Sequence, residues 1–226
     1  MTSRNSGLIA LALLLAAPAA PALASDNPRM DAAVEQIEHG WEHIRYQVTD
    51  PGQQHRQIKA LSDEAAAVVA RYPGRAEPLI WQGIVKSEQA AMSSGLSALG
   101  DAKAARRLFE TAYQLDRRAL DGGSATSLGT LFDRVPGFPI GFGDKKVARR
   151  YLEEGVAIAP DGMDANFFYG DFLASQGDNA GARKVLVRAL ASPPHPDRPV
   201  WDAGRRAEIR KRLADVNAKL KFRGGS

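Results

Sequence analysis

Three stretches align without gaps: Gly100-Asp101-Ala102-Lys103-Ala104-Ala105-Arg106-Arg107-Leu108-Phe109, Gly143-Asp144-Lys145-Lys146-Val147-Ala148-Arg149-Arg150-Tyr151-Leu152 and Gly177-Asp178-Asn179-Ala180-Gly181-Ala182-Arg183-Lys184-Val185-Leu186. They recur after 43 and then 34 residues, the length of a helical-hairpin repeat. Glycine can take the left-handed conformation that ends one helix, and the aspartate beside it can cap the amides that open the next. The alanine five residues after each glycine (Ala105, Ala148, Ala182) lets a neighbouring helix approach closely.

The last copy is the most complete. Asn166, Tyr169, Gly170, Leu173, Gly177, Ala182, Leu186, Ala189 and Pro194 fall at the spacing of a tetratricopeptide (TPR) repeat, with Asn166 where that pattern usually carries Trp. Ala148, Leu152 and Pro160 keep the same phase, as do Ala105, Phe109 and Ala112. The interval from Gly83 to Gly100 is ten residues longer than that from Gly170 to Gly177. The extra residues, about Ala91–Leu99, are expected to lengthen a first helix and its turn. The expected fold is all-α, a TPR-like solenoid over residues 25–222 with hairpins near 31–72, 77–120, 124–158 and 164–191. Ile209, Leu213, Val216 and Leu220 form one apolar stripe and predict a capping helix over 203–220, followed by a flexible tail at 223–226.

Composition agrees. The 226 residues are 44% apolar and 25% charged, with no cysteine. That rules out a disulfide framework, a thiolate metal site, a catalytic thiol and a lipidated cysteine. The net charge of +4 is too mild to point to nucleic acid. Residues 1–24 read as a secretory signal: Arg4, the apolar run Leu8–Ala17, and Ala22-Leu23-Ala24 before Ser25. Export to a periplasm is the expectation. The segment Arg198–Ser226 carries nine basic and three acidic residues, either the wet face of an amphipathic helix or a contact surface.

Signals for chemistry are weak. Gly122-Gly123-Ser124 is followed by Ala125-Thr126 and lacks the Gly that a nucleophile elbow requires. The glycines of 137–143 lack the Gly-Lys-Ser/Thr ending of a phosphate loop. His39 and His43 have a metal-compatible spacing but no third partner motif. No catalytic residue, metal or cofactor is expected, and the protein is not read as an enzyme.

The most unusual stretch is Leu131-Phe132-Asp133-Arg134-Val135-Pro136-Gly137-Phe138-Pro139-Ile140-Gly141-Phe142-Gly143-Asp144. Two readings stay open for Val135, Phe138, Ile140 and Phe142: they plug the gap of their own hairpin, or they line an apolar groove or subunit contact. Together with Pro160-Asp161-Gly162-Met163-Asp164-Ala165-Asn166-Phe167-Phe168, this stretch resembles the T-component (TatT) family of tripartite ATP-independent periplasmic (TRAP) transporters, best from about Leu128 to Leu190. The resemblance implies a periplasmic accessory protein that docks the solute-binding (P) component of such a transporter. It also implies a homo-oligomer with an apolar channel and the passage of an apolar or amphipathic organic acid. Because Asn166-Phe167-Phe168-Tyr169 opens the next hairpin and is expected to face the same space as the loop, Val135, Pro136, Phe138, Pro139, Ile140, Phe142, Asn166, Phe167 and Tyr169 are the candidate ligand or partner surface. The alternative is a general envelope assembly scaffold that grips a peptide or protein in its concave face.

Overall fold

The computed structural model describes residues 26–224, with only the backbone of 223 and 224; the signal segment lies outside these residues. Among the described residues there are nine helices: α1 (Pro28–Tyr46), α2 (Pro51–Arg71), α3 (Ala76–Met92), α4 (Gly95–Leu115), α5 (Ala119–Arg134), α6 (Lys145–Ile158), α7 (Met163–Ser175), α8 (Asn179–Leu190) and α9 (Pro199–Gly224). The one strand-like pairing among them is a bridge between Gly137 and Gly143. Helix starts follow local chemistry. Asn27, Asp50, Asp144 and Asp178 each accept a backbone N–H of the first turn, and Pro28 and Pro51 sit where no intrahelical N–H is needed.

The helices pair as α1/α2, α3/α4, α5/α6 and α7/α8. In each pair a glycine of the first helix faces a large side chain of the second. A Cβ on Gly40 would lie 2.9 Å from Leu61 Cδ1, and one on Gly170 would lie 2.7 Å from Leu186 Cγ. On Gly129 it would lie 2.6 Å from Leu152 Cγ, and on Gly83 it would overlap the Phe109 ring. The alanines of the repeat (Ala105, Ala148, Ala182) are fully buried. The repeat is thus a contact rule: a missing side chain on one helix receives a bulky one from its partner.

Three sequence expectations need correction. Gly177 is left-handed (φ +83°) before its capping aspartate, but Gly100 and Asp101 lie inside α4, and Asp101 pairs instead with Lys86 at 3.6 Å. The insertion is shared between the two helices. It extends α3 to Met92, turns through Ser93-Ser94, and starts α4 early at a left-handed Gly95 (φ +60°). The helix expected to run to Leu120 stops at Leu115, and the chain enters α5 through Leu120, Asp121 and Gly122, all at positive φ.

Helix α9 packs on α8 and α7, as α3 packs on α2 and α1, and so takes the place of the first helix of a fifth hairpin. It does more than cap, because it also reaches α1. Gly204 lies against the Tyr46 ring, and Arg45 joins Glu208 at 2.8 Å, closing the curved stack on itself. The helix continues to Gly224, so residues 223 and 224 belong to it rather than to a tail.

Candidate functional site

The odd-numbered helices line the inner face. Their side chains surround a chamber of ≈ 290 Å³: Trp41 and Arg45 of α1, Glu88 of α3, Arg134 of α5, Phe167, Phe168 and Asp171 of α7, and Arg205, Glu208 and Arg212 of α9, with Lys211 and Asp215 at its edge. Aromatic rings and paired charges alternate on its wall. Arg205 is buried, forms an ion pair with Asp164 at 2.7 Å, and lies over the Phe167 and Phe168 rings at 4.8 and 4.9 Å. Arg212 forms an ion pair with Asp171 at 2.7 Å, and Arg45 bridges Glu88 at 2.9 Å. A buried guanidinium is tolerated because each has carboxylates within reach.

The arginines obey a rule that sequence reading missed. Arg198, Arg205 and Arg212 are seven apart, as are Asp164 and Asp171. Arg205 meets Asp164 and Arg212 meets Asp171, so α9 runs parallel to α7 in register. Arg198, just ahead of α9, reaches α1. There it pairs with Glu38 and Glu42 and lies over Trp201 at 4.4 Å and Trp81 at 5.6 Å. Burial pushes the Glu38 carboxyl up to about 7, outweighing the Arg198 charge that it shares with Glu42. Glu208, between Arg45 and Arg205, is held below the usual carboxylate range despite its own burial. The basic C-terminal segment therefore turns Arg198, Arg205, Arg206 and Arg212 inward, where Arg206 also bonds the Leu190 and Ser192 carbonyls. Shared heptad spacing was the signal that could have revealed this seam.

The nine residues singled out from sequence fall in three environments. Asn166 is fully buried, and its side-chain amide donates to the Pro160 and Gly162 carbonyls at 2.7 and 2.9 Å. It ties the α6–α7 turn from inside and presents no surface. Phe167 is buried toward the chamber, while half-buried Tyr169 donates to Glu153 at 3.0 Å on the flank of α6. The 135–143 loop splits. Val135 and Phe142 pack on the core, with Phe142 edge-on to Phe132 (5.5 Å) and Arg106 5.0 Å from its ring. Phe138 and Ile140 are 92% and 71% exposed, flanked by exposed Pro136 and Pro139, and the Phe138–Pro139 bond is cis. Val135 and Phe142 thus fit the plug reading, while Phe138 and Ile140 stand exposed at the tip.

His39 and His43 go separate ways: His39 to Glu35 and Glu42, His43 to Gln47 at 2.7 Å. Among the described residues no cluster of His, Asp or Glu could hold a metal ion, and no helix is long and apolar enough to cross a membrane.

With the helix pairing and inner face in view, the solved structures give the fold its relatives. TTC0263, a thermophilic TPR protein of Thermus thermophilus, superposes with a TM-score of 0.56 at 16% identity, over 84% of this chain and 91% of that one. The fold is a TPR-like solenoid. MamA aligns with a TM-score of 0.44 at 16% identity (79% of this chain, 99% of that one), and Pseudomonas aeruginosa pilF with 0.30 at 14% (85% and 92%). No protein-family model and no curated protein matches the chain. The transporter resemblance rests on the sequence of the loop and of α7.

Proposed function

We propose that the protein is a non-catalytic scaffold that holds a protein partner at the mouth of its inner chamber. The observation that supports this is the convergence of five inward-facing helices on a pocket whose wall alternates aromatic rings and paired charges. Such a mixture suits recognition of a peptide-like group: rings take apolar area, and arranged charges fix orientation. Because α9 closes the stack onto α1, the concave face is not an open cradle for a whole helix. A volume of ≈ 290 Å³ admits a protruding side chain or a chain end.

A narrower version makes that partner the solute-binding component of a TRAP-type transporter in a periplasm. Its support is the likeness of Leu131–Asp144 and Pro160–Phe168 to the TatT family. Crosslinking capture with residues 25–226 as bait tests both readings, with Arg134→Glu/Lys211→Glu as the control, since both side chains are exposed at the rim. A partner captured by the native chain and lost with the control supports the chamber. Capture unaffected by it places the partner elsewhere. Recovery of a solute-binding protein supports the transport role; envelope-assembly proteins without any solute receptor leave the scaffold and remove the transporter.

A further inference from the structure

The 135–144 loop is built to hold two apolar side chains in water. Gly143 donates to the Pro136 carbonyl at 2.9 Å, and Ile140 and Gly141 both donate to Gly137 at 3.1 Å. Asp144 N–H reaches back to Phe132 in α5 at 3.0 Å, sealing the base. A Cβ on Gly141 or Gly143 would overlap the Pro136 or Val135 carbonyl oxygen, so the chain doubles back as tightly as backbone allows. Val135 and Phe142 anchor the loop in the core while Phe138 and Ile140 stand at its tip. Exposed large apolar groups cost solubility, and a rigid mount for them lowers the entropy lost when they are buried against something else.

The surroundings say what that something is. Residues 133–150 hold five basic side chains (Arg134, Lys145, Lys146, Arg149, Arg150) and two acidic ones, Asp133 and Asp144. Both acids are already engaged. Asp133 takes Lys145 at 2.6 Å, and Asp144 caps α6 through the Lys146 and Val147 amides. Lys146 and Arg150 are exposed within the first two turns of α6, next to the loop base, whereas Arg149 pairs with Glu153 at 3.5 Å and Arg134 with Asp171 at 3.4 Å.

We propose that this loop docks the protein on an anionic lipid surface, with Phe138 and Ile140 entering the headgroup boundary and Lys146 and Arg150 facing the lipid phosphates. An aromatic and an aliphatic side chain at a rigid tip, with cations on the adjoining turns of α6, match the two terms of peripheral membrane binding: buried apolar area, and attraction to negative headgroups that fades within a Debye length. A protein partner would need about 800 Å² of matched surface on each side. A two-residue apolar tip falls short of that, whereas a fluid interface needs no shape match. This proposal is independent of the chamber, which lies on the inner face.

The test is flotation of the 25–226 chain with phosphatidylcholine vesicles and with vesicles containing roughly 30% phosphatidylglycerol, chosen as an anionic lipid. The expected result is binding to the anionic vesicles that weakens with salt. It should fall ~tenfold or more in Phe138→Ser/Ile140→Ser. In Lys146→Glu/Arg150→Glu the preference for anionic vesicles should vanish. Circular dichroism should be unchanged in both variants, since all four side chains are exposed. Absence of vesicle binding overturns the proposal. So does binding that survives the loop substitutions, which would assign it to cations elsewhere such as Lys219 and Lys221. Loss of a captured protein partner in the loop variant, with no vesicle binding by the native chain, would make the tip a protein contact instead.

Discussion

Adding one methyl group at two helical glycines should move stability in opposite directions. Gly100 lies inside α4 with nothing within 4 Å of a Cβ placed on it. Gly100→Ala should therefore give only the entropic gain of replacing a helical glycine, ~0.5–1 kcal/mol. Gly129 lies at the α5/α6 crossing. There a Cβ would sit 2.6 Å from Leu152 Cγ, 2.9 Å from Leu152 N and 3.0 Å from Ala148 O. Two of these atoms are backbone, so no rotamer change relieves the overlap and the hairpin must open. Overpacking of that kind costs ~1–3 kcal/mol, and the upper end applies where backbone must shift. Against the same entropic gain, Gly129→Ala should lose ~1–2 kcal/mol net, lowering the melting temperature by about 2–8 °C, while Gly100→Ala raises it by about 1–4 °C. Thermal and urea unfolding followed at 222 nm read both, and equal urea slopes would show that the denatured state is unchanged. If Gly129→Ala proves as stable as Gly100→Ala, the glycine-to-bulky contact rule is wrong for this hairpin.

Three further outcomes are expected. Phe138→Ala should leave the unfolding midpoint within ~0.5 kcal/mol of native, whereas Phe142→Ala should cost ~1–3 kcal/mol as the edge contact with Phe132 and the Arg106 contact are lost; equal costs in urea titrations would reverse the assignment of tip and anchor. Asn166→Ala removes two donors from the Pro160 and Gly162 carbonyls and should cost ~1–3 kcal/mol in the same assay, and a neutral result would mean that water replaces the amide. Glu38 has a folded-state pKa of about 7 against an ordinary 4.5, so the folded protein binds more protons between those values. Stability should then be greatest below pH 4.5 as far as this group is concerned, fall as pH rises through 4.5–7, and level off above, by ~2 kcal/mol after allowance for partial exposure. Glu38→Gln should flatten the decline in melting temperature between pH 5 and pH 8; a decline unchanged in that variant would assign it to other groups.

What could be read from sequence was whatever acts over a few residues. The start of α6 at Lys145 follows from the Asp144 cap, and its end at Ile158 comes just before Pro160. The phase of α7 and α8 follows from Gly170, Ala182 and Leu186, three small or bulky residues whose spacing reflects one helix crossing. Even so, Gly100-Asp101 imitated a turn signal inside a helix, because the ten-residue insertion moved the real turn to Ser93-Ser94 and the pattern does not record where the chain bends.

The site was much less legible. Asn166 looked like a surface candidate because its neighbours are aromatic, yet its amide is turned to the carbonyls of the preceding turn. Phe138 and Phe142 are indistinguishable by composition, and the hydrogen bonds that fold the loop decide that one points out and the other in. The closure of the solenoid lay furthest from local signals. It joins Arg198 to Glu42 and Arg45 to Glu208 across 156 and 163 residues of chain.

From its sequence alone this protein is a run of antiparallel helix pairs, since caps, glycines and apolar phase act within one or two helical turns. Tertiary structure decided that α9 swings past its capping position to meet α1, shrinking the concave face to a charged chamber. In a solenoid each repeat adds a small rotation to the last, and only the assembled stack sums them.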